Sequence, residues 1–403
     1  MKNRTVPFIL LFILSVAIPS SQAALTPLEI SQQEEEKSVT LPQEIWFKKL
    51  AAYREHISEK YGTNFAFIFN YAQQAILKSG NDRGKNRGVW YWNLEVAQKL
   101  WPGAELFAEF EVDKGKGVDK FLPTFSYFNE NSGDDAWFYL PVLYLEQKFY
   151  EDKALVAAGK LDLTYWFDWN EVASSADTQF LSSSLVNNLA IPFPAKGIGA
   201  LISLTPYEWL YFQSGAATAR ATSTQAGVSD AFNSAFFINE LGLASKVASL
   251  KGNYRFIFHL THEKQEYINS DEEKKNTAGW ALSFDQAVTQ KITLFFRYGF
   301  ADQKVSDIEQ FWSFGVQIMG PIPGRKFDCL GVGVARSIFG NDFREANDPD
   351  LTSRSETMYE IYYSYNLNSS LILTPNLQIV TNPNADKSAE TEIVCGLRFL
   401  LTF

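Results

Sequence analysis

The residues best suited to chemistry lie in one long segment, about 164–196. Near its start, in the run Tyr165-Trp-Phe-Asp-Trp-Asn170, aromatic rings stand beside a carboxylate and an amide. A pyranose presents a C–H face that packs on an aromatic ring and hydroxyl groups that bind planar donors and acceptors. Trp166, Asp168, Trp169 and Asn170 are therefore predicted to form or support a sugar-selective constriction. The alternative interpretation is that Asp168 and Asn170 only fix the turns of the segment itself.

The length and composition of this segment indicate that it folds against another part of the protein. Loops this long in a compact fold are usually either functional or disordered. The many aromatic residues and the low charge of this one argue against disorder. If the fold is a wide barrel, the available space is its lumen, and the segment would then narrow the bore. The alternative is an external cap over the mouth of the barrel.

Signatures of catalysis and of metal binding are weak. Of the three histidines, His259 and His262 have a metal-like spacing, but in a strand their side chains face opposite sides. The sequence has no Gly-rich phosphate loop, no Gly-x-Ser-x-Gly motif and no Cys-x-x-Cys motif. We therefore expect no catalytic residue, no metal and no cofactor, and predict that the protein is not an enzyme. Cys329 and Cys395 are interpreted as small packing residues.

Composition favours a β-rich protein that crosses a membrane with strands. Phe, Tyr and Trp make up 15% of the residues, which suits strands and the aromatic belts of a membrane barrel. The mean hydropathy of -0.16 is too low for a helical membrane protein. The net charge of -10 argues against nucleic acid as a partner, because binding it requires cations that neutralise phosphates.

The N-terminus predicts export from the cytoplasm. A short basic head precedes an apolar run, Val6–Ile18, and the small residues Ser21-Gln-Ala23 follow. This pattern predicts a secretory signal peptide over residues 1–23. Residues 24–41 are polar and acidic and are predicted to form a flexible leader. The spacing of apolar residues then predicts an N-terminal helix over residues 42–62.

From residue 63 to residue 403 the pattern is that of strands. Most have the ~9–11 residues that a tilted membrane strand needs. Tight turns such as Trp101-Pro-Gly103 alternate with mostly long, polar connections such as 113–135. This alternation is typical of a barrel whose ends face different compartments, whereas a soluble sandwich, the alternative fold, has no reason to keep it. We predict an all-β fold, a transmembrane antiparallel β-barrel of about 16 strands over residues 63–403. The predicted strands are 64–77, 88–101, 104–112, 136–150, 153–163, 197–206, 208–219, 234–249, 252–263, 276–288, 291–302, 309–319, 326–338, 356–367, 370–381 and 390–403.

The last predicted strand, 390–403, offers a test of the barrel. Its apolar residues alternate with a more mixed face, as expected for a strand with one side in an apolar medium. The cylinder closes only if 393–403 pairs with the first strand, near 64–77. Both chain ends are then expected on the periplasmic side.

Charged residues within the strands are assigned to the lumen, because Lys or Arg on the lipid face costs about 2–4 kcal/mol at mid-membrane. A barrel of this strand number with a polar lumen leaves an aqueous channel. Arg336 breaks the alternation and is expected at the external end, where it can snorkel. The residues predicted to line the lumen are Glu105, Glu109, Glu111, Lys160, Asp162, Arg255, Arg297 and Arg398.

Motifs in the central region resemble a known family. They include Leu143-Tyr-Leu-Glu-Gln147, Gly159-Lys-Leu-Asp162, Asp168-x-Asn170, Thr178-Gln-Phe-Leu181, Asn187-Asn188, Pro192, Gly197-Ile-Gly-Ala200 and Pro206, with Leu373-Thr-Pro375, Leu377-Gln378 and Asn382-Pro383 later in the chain. Over about 45–403 the chain is similar to the OprB-type carbohydrate-selective porins. The resemblance implies a sixteen-stranded outer-membrane barrel that passes monosaccharides by diffusion and is narrowed by inward-folded loops.

Together these observations predict a porin of the bacterial outer membrane that allows passive, sugar-preferring diffusion. Its expected partners are small sugars as permeants and outer-membrane lipid, and both a monomer and a homotrimer remain open. The main alternative is a general or ion-selective diffusion porin with the same barrel. An outer-membrane barrel enzyme, with a Ser–His pair formed across strands, or an adhesin is the alternative from another class.

Overall fold

The first described element is a helix that leads into the barrel. The computed structural model describes residues 42–80, 82–133, 135–230, 233–247 and 249–403, so the predicted signal peptide and leader lie outside the described residues. Helix α1, Pro42–Tyr61, contacts the first strand. It ends at Gly62, whose φ of +67° is the left-handed conformation that glycine adopts after a helix. In the described part of the chain, no helix is both long enough and apolar enough to cross a membrane.

Sixteen antiparallel strands close into one barrel. Each strand pairs with its neighbours along the chain, and the last pairs with the first. The predicted strands are confirmed to within a few residues at their ends. The strands are β1 Thr63–Lys78, β2 Asn86–Trp101, β3 Ala104–Lys114, β4 Tyr139–Phe149, β5 Ala154–Leu161, β6 Gly197–Tyr207, β7 Leu210–Thr218, β8 Ala235–Val247, β9 Leu250–His262, β10 Thr277–Ala287, β11 Ile292–Phe300, β12 Ile308–Met319, β13 Cys329–Phe339, β14 Ser355–Asn368, β15 Leu371–Thr381 and β16 Glu392–Thr402.

The seam between β16 and β1 distinguishes a barrel from an open sheet. In its register Phe399 lies opposite Tyr71 and Arg398 lies opposite Ala72. The Phe67 N–H donates to the Phe403 carbonyl at 2.8 Å, and the Phe403 N–H returns a bond at 3.1 Å. Strand pairing gives the backbone N–H and C=O groups hydrogen-bond partners, which lipid cannot provide. The predicted closure is confirmed.

Side chains alternate between the outer face and the lumen. On β9, Phe256 and Phe258 are 48% and 44% exposed, whereas Arg255 and His259 are 4% and 2% exposed. Apolar side chains thus form the outer band and charged ones turn inward, as lipid requires. Arg336 is on the outer face near the end of β13, where it donates to Ser355 Oγ at 2.8 Å.

The two ends of the barrel differ in their connections. One end carries short turns, such as residues 102–103 between β2 and β3. The other carries longer loops, of which two are central here: loop L2, residues 115–138, and loop L3, residues 162–196. L3 contains the short helix α2, Ser183–Val186. Two further loops at this end contain a small hairpin, Gln265–Glu266 with Glu273–Lys274, and helix α3, Asn341–Ala346.

Candidate functional site

L3 folds inside the barrel and packs against inward-facing side chains on both sides of the lumen. On one side Phe180 lies 5.6 Å from Phe295 of β11 and 4.9 Å from Tyr362 of β14, measured between ring centroids. On the other side Trp166 makes an edge contact with Tyr144 of β4 at 5.2 Å. Burial of aromatic rings at both contacts stabilises a loop that crosses the bore.

The central contact of L3 is an ion pair between Asp168 and Arg297 of β11. The guanidinium Nε lies 3.1 Å from Asp168 Oδ2, and the same side chain donates to the Asp168 carbonyl at 3.0 Å and to Ser174 Oγ at 2.9 Å. Arg297 is fully buried and Asp168 is 5% exposed. Burial raises the pKa of Asp168, and Arg297 opposes that rise. Removing one partner of such a pair leaves an uncompensated buried charge, at a cost of about 3–5 kcal/mol.

Asn170 forms local and wall contacts. Its side-chain amide donates to the Phe284 carbonyl of β10 at 3.1 Å, and its oxygen accepts the Val172 N–H at 3.2 Å. It is fully buried. Like Asp168, therefore, Asn170 uses its polar atoms to hold the loop, both within the loop and against the wall.

The two tryptophans predicted for the constriction have different environments. Trp166 is only 3% exposed, so its ring is a packing element and presents no face to a permeant. Trp166 therefore does not contact a sugar directly. Its ring supports the packing of L3. Trp169 is half-buried, and its ring lies 5.4 Å from the Arg255 guanidinium, a cation–π contact.

Inward-facing carboxylates of the strands bind the backbone of L3. Glu360 of β14 accepts the N–H groups of Leu181 and Ser182 at 2.8 and 2.9 Å. Glu240 of β8 accepts the Asp168 N–H at 2.9 Å. Backbone N–H groups in a buried loop need acceptors, and the charged wall supplies them.

Basic side chains of the wall complete these contacts. Arg398 of β16, 2% exposed, donates to the carbonyls of Ala176 and Gln179. Arg255 of β9 pairs with Asp285 of β10 at 2.8 Å. Arg255, Arg297 and Arg398 do face the lumen as predicted, but all three are covered or paired. None of the three lines an open bore, which differs from the pore-lining role predicted for them.

L2 lies in the lumen beside L3 and is held in the same way. Glu356 of β14 accepts the N–H groups of Phe125 and Ser126 at 3.1 and 2.7 Å. The two loops also bond to each other, because the Ser184 N–H donates to the Ser126 carbonyl at 3.1 Å. They therefore form one unit. We use the name anchoring wall for strands β8–β16, which hold this unit through Arg297, Glu240, Glu356, Glu360 and Arg398.

The opposite side of the lumen carries charges that remain near water, and we call it the open wall. It consists of inward residues of β2–β5 with the lumen residues that face them. Lys196, at the end of L3, lies 3.7 Å from Glu109 and 3.5 Å from Glu111 of β3. The Tyr165 hydroxyl donates to Glu109 at 2.6 Å. The side chains of Lys196 and Glu111 are 22% and 14% exposed, whereas that of Glu109 is 2% exposed.

The remaining residues predicted for the lumen differ in their placement. Lys160 of β5 shares the outward side of its strand with the exposed Val156 and lies opposite the exposed Leu143, so its predicted place in the lumen is wrong. Its ammonium group donates to the carbonyls of Leu140 and Ser223 at 2.9 and 2.6 Å. Asp162 accepts the Thr164 N–H at 3.0 Å and so caps a turn at the start of L3. Glu105 is a half-buried inward residue near the short-turn end of β3.

Several functional side chains were missed by sequence reasoning. Glu240, Glu356, Glu360 and Lys196 have no motif around them. The parity of the strand could have found the first three, because each shares the inward face of its strand with buried residues. Lys196 stands in a loop, where no periodicity exists.

The histidines show no shared site. His259 faces the lumen and stacks near Phe236 at 6.0 Å, whereas His262, on the other face, contacts Asn276. Within the described ranges, no cluster of His, Cys, Asp and Glu could hold a metal ion. Cys329 and Cys395 are both free thiols.

Comparison with known proteins identifies a family. The profile of the family described as "Carbohydrate-selective porin, OprB family" matches residues 88–403. Porin AaxA of Chlamydia abortus is 23% identical over 279 residues, covering 64% of this chain and 56% of that protein. Porin B of Pseudomonas aeruginosa is 21% identical over 189 residues, covering 38% and 42% of the two chains. The chain thus spans only about half the length of these curated relatives.

Solved structures share the architecture. The high-pH structure of Pseudomonas putida OprB has a TM-score of 0.76 at 17% identity and covers 88% of this chain and 97% of that one. The low-pH structure of the same protein has a TM-score of 0.56 with the same coverage. DcaP, an outer-membrane channel of Acinetobacter baumannii, has a TM-score of 0.52 at 11% identity, covering 85% of this chain and 97% of that one. At such identities the likeness concerns the fold.

Proposed function

The chain belongs to the OprB family of carbohydrate-selective porins, and from this premise we propose that it lets small carbohydrates diffuse passively through its barrel. The family and the closed barrel are of the channel type, and together they imply the bacterial outer membrane as the location. The proposed permeants are small sugars, which cross a bore narrowed by L2 and L3.

The observation that carries the proposal is the way L3 is held. A sieve that discriminates among small solutes needs a constriction whose size does not fluctuate. L3 is attached to the wall by Arg297, Glu360 and Glu240, all at most 2% exposed. Polar groups satisfied in a low-dielectric setting are worth more than those in water. The loop is therefore a permanent part of the channel.

Sugar preference follows from the chemistry of the remaining passage. Its open wall offers carboxylates, an ammonium group and the Tyr165 hydroxyl, partners for the hydroxyl groups that a sugar carries around its ring. These groups can replace the hydration that a sugar loses as it enters a narrow passage. An apolar solute of the same size gains no such compensation.

Liposome swelling tests the proposal. Proteoliposomes are diluted into isotonic glucose, a disaccharide, or a neutral amino acid of similar size to glucose, and the swelling rates are compared. We expect glucose to enter faster than the amino acid and the disaccharide to enter slowest. Equal rates for all three would overturn the sugar preference and favour a general or ion-selective diffusion porin.

Export is proposed on the N-terminal pattern. Residues 1–23 are the signal peptide in this proposal, and residues 24–41 lead from it to α1. N-terminal sequencing of the protein recovered from outer membranes is expected to begin at residue 24. A mature protein that retains the apolar run Val6–Ile18 would contradict cleavage.

A further inference from the structure

The open wall carries more negative than positive charge. Glu109, Glu111 and Asp162 all act electrostatically on Lys196, and Lys196 acts on Glu130 of L2. A second cation, Lys160, interacts electrostatically with Lys196 and Glu109 from the outward side of β5. Four carboxylates and two ammonium groups give this cluster a formal charge of -2 when all are ionised.

Lys196 holds the centre of this cluster. It bridges Glu109 and Glu111, and its side chain is 22% exposed. Burial alone would lower the pKa of its ammonium group, but the two carboxylates outweigh burial and the pKa is raised. Lys196 therefore stays charged at any physiological pH and offsets part of the acidic field.

An unpaired acceptor points to a ligand that donates. Asn93 of β2 lies opposite Glu111 in the β2–β3 register, and its amide nitrogen donates to Glu109 at 2.6 Å. Its carbonyl oxygen, on a side chain only 6% exposed, has no hydrogen-bond partner among the residues that the structure describes. A buried acceptor of this kind calls for a donor from outside the chain, such as a water molecule or a cation. An ammonium group supplies three donors and no acceptor.

The anchoring wall does not cancel the field of the open wall. Arg297 is neutralised by Asp168, and Arg255 by Asp285. Arg398 is buried against the carbonyls of L3, and the carboxylates of Asp177 and Glu360 offset its charge. Fields in a narrow aqueous passage with low-dielectric walls are focused along it and raise the local concentration of the attracted ion.

We propose that the constriction prefers protonated amino sugars to neutral sugars and neutral sugars to acidic ones, and that Lys196 limits this preference. The inference deepens the proposed function, on which it rests, by adding the charge of the sugar to its size. An amino sugar brings its ammonium group to the partly exposed carboxylate of Glu111 and the acidic cluster around it. A uronic acid meets the same groups with a carboxylate and is repelled.

Solute efflux from proteoliposomes tests the inference with three solutes of nearly equal size. Glucose, glucosamine as its protonated salt and glucuronate are loaded separately, and their release is followed at near-neutral pH. We expect glucosamine to leave about three- to tenfold faster than glucuronate, with glucose between them, which corresponds to a potential of a few kT at most. Equal release of all three would overturn the inference while leaving sugar permeation intact. Failure of glucose itself to leave would overturn the proposed function as well.

Variants locate the preference at the open wall. Lys196→Gln is expected to widen the glucosamine-to-glucuronate ratio by about threefold, and Glu111→Gln to narrow it by a similar factor. Lys196→Arg, which keeps the charge, is expected to restore the wild-type ratio. Lys304→Gln is the matched control. Lys304 lies in a different external loop, where its ammonium group is 5.1 Å from the centre of the Tyr267 ring. Its loss should leave the glucosamine-to-glucuronate ratio unchanged.

A second measurement covers the case in which Lys196→Gln does not assemble. The zero-current potential of the wild-type channel in a salt gradient should have the sign of cation preference, and Glu111→Gln should move it toward zero. An anion preference in the wild-type channel would overturn the inference. So would a potential that Glu111→Gln leaves unchanged.

Discussion

The anchoring wall and the open wall are built from the same kinds of side chain but use them differently. On the anchoring wall, Glu360 and Arg297 are at most 2% exposed and bond to L3. On the open wall, Lys196 and Glu111 stay partly exposed beside the passage. A charged side chain that faces the lumen therefore does not have one fixed role. Its role depends on whether a loop covers it.

The difference has a physical basis. A loop that crosses a barrel takes its backbone out of water, and each buried N–H or C=O needs a partner. Glu240, Glu356 and Glu360 provide acceptors for L2 and L3, while Arg398 provides donors. The open wall also contacts both loops, through Trp166 against Tyr144 and the Ala136 N–H on Asp113. Its Lys196 and Glu111 nevertheless stay partly exposed, so these charges act on what passes.

The largest expected effect comes from removing Arg297 from the anchoring wall. Arg297→Met leaves Asp168 buried without its counter-ion, a cost of about 3–5 kcal/mol. L3 should then leave its place in the bore, and the single-channel conductance in planar bilayers should rise severalfold. Disaccharide permeation should rise with it.

Arg336→Met is the matched control for that variant. Arg336 is exposed on the outer face, and its guanidinium group donates a hydrogen bond to the Ser355 hydroxyl. Its loss removes the same charge without touching L3, so conductance should not change. A conductance of Arg297→Met that equals wild type, in protein that still migrates as a folded barrel, would contradict the anchoring role.

A smaller effect is expected for Glu360→Gln. The substitution keeps the shape of the side chain but replaces one accepting oxygen with an NH2 donor. One of the two hydrogen bonds from backbone N–H groups of L3 is therefore lost, and the other loses its charged acceptor. A hydrogen bond to a charged acceptor is worth about 1.5–3 kcal/mol. L3 should stay in the bore but fluctuate, which adds noise to the open-channel current. Glu356→Gln should instead loosen L2, whose Ser126 it binds. Identical, noise-free traces for both variants would argue that these carboxylates are not anchors.

The same substitution on the open wall should act on permeants and not on the loop. Glu111→Gln is expected to leave the open-channel noise and the disaccharide cut-off at wild-type values, because no backbone group of L3 depends on it. An increase in open-channel noise in Glu111→Gln like that expected for Glu360→Gln would contradict the distinction between the two walls. Conductance noise and sugar efflux measured on the same preparations decide this.

The smallest effect is a pH dependence of L2. Asp119 accepts the N–H groups of Phe128 and Asn129 at 2.7 and 3.1 Å, and burial raises the pKa of its carboxyl group from 3.8 to about 7. The folded loop therefore holds the proton more tightly than the released loop does. The stability of the docked loop should decrease as pH rises through this interval and level off above it. Protease protection of L2 measured across this range should show the decrease in wild type and a weaker one in Asp119→Asn.

The sequence alone determined the barrel. A period of two, tight turns alternating with long loops, and a last strand able to meet the first are local patterns, and lipid penalises any charge on the outer face. The same reasoning assigned Glu109, Arg297 and Arg398 to the lumen, but it failed for Lys160, which stands at an outward position of β5. These results depend on neighbours in sequence and on the membrane, and both can be derived without coordinates.

Only the tertiary structure decided which inward charges meet water. Arg297 and Asp168 are 129 positions apart, and Leu181 and Glu360 are 179 apart, so no local pattern connects them. The path of L3 across the bore turned Trp166 into a packing residue, turned Asp168 and Asn170 into anchors, and brought Lys196 to Glu109 and Glu111. Such contacts form because a buried backbone must find partners, and which partners it finds is a property of the closed barrel as a whole.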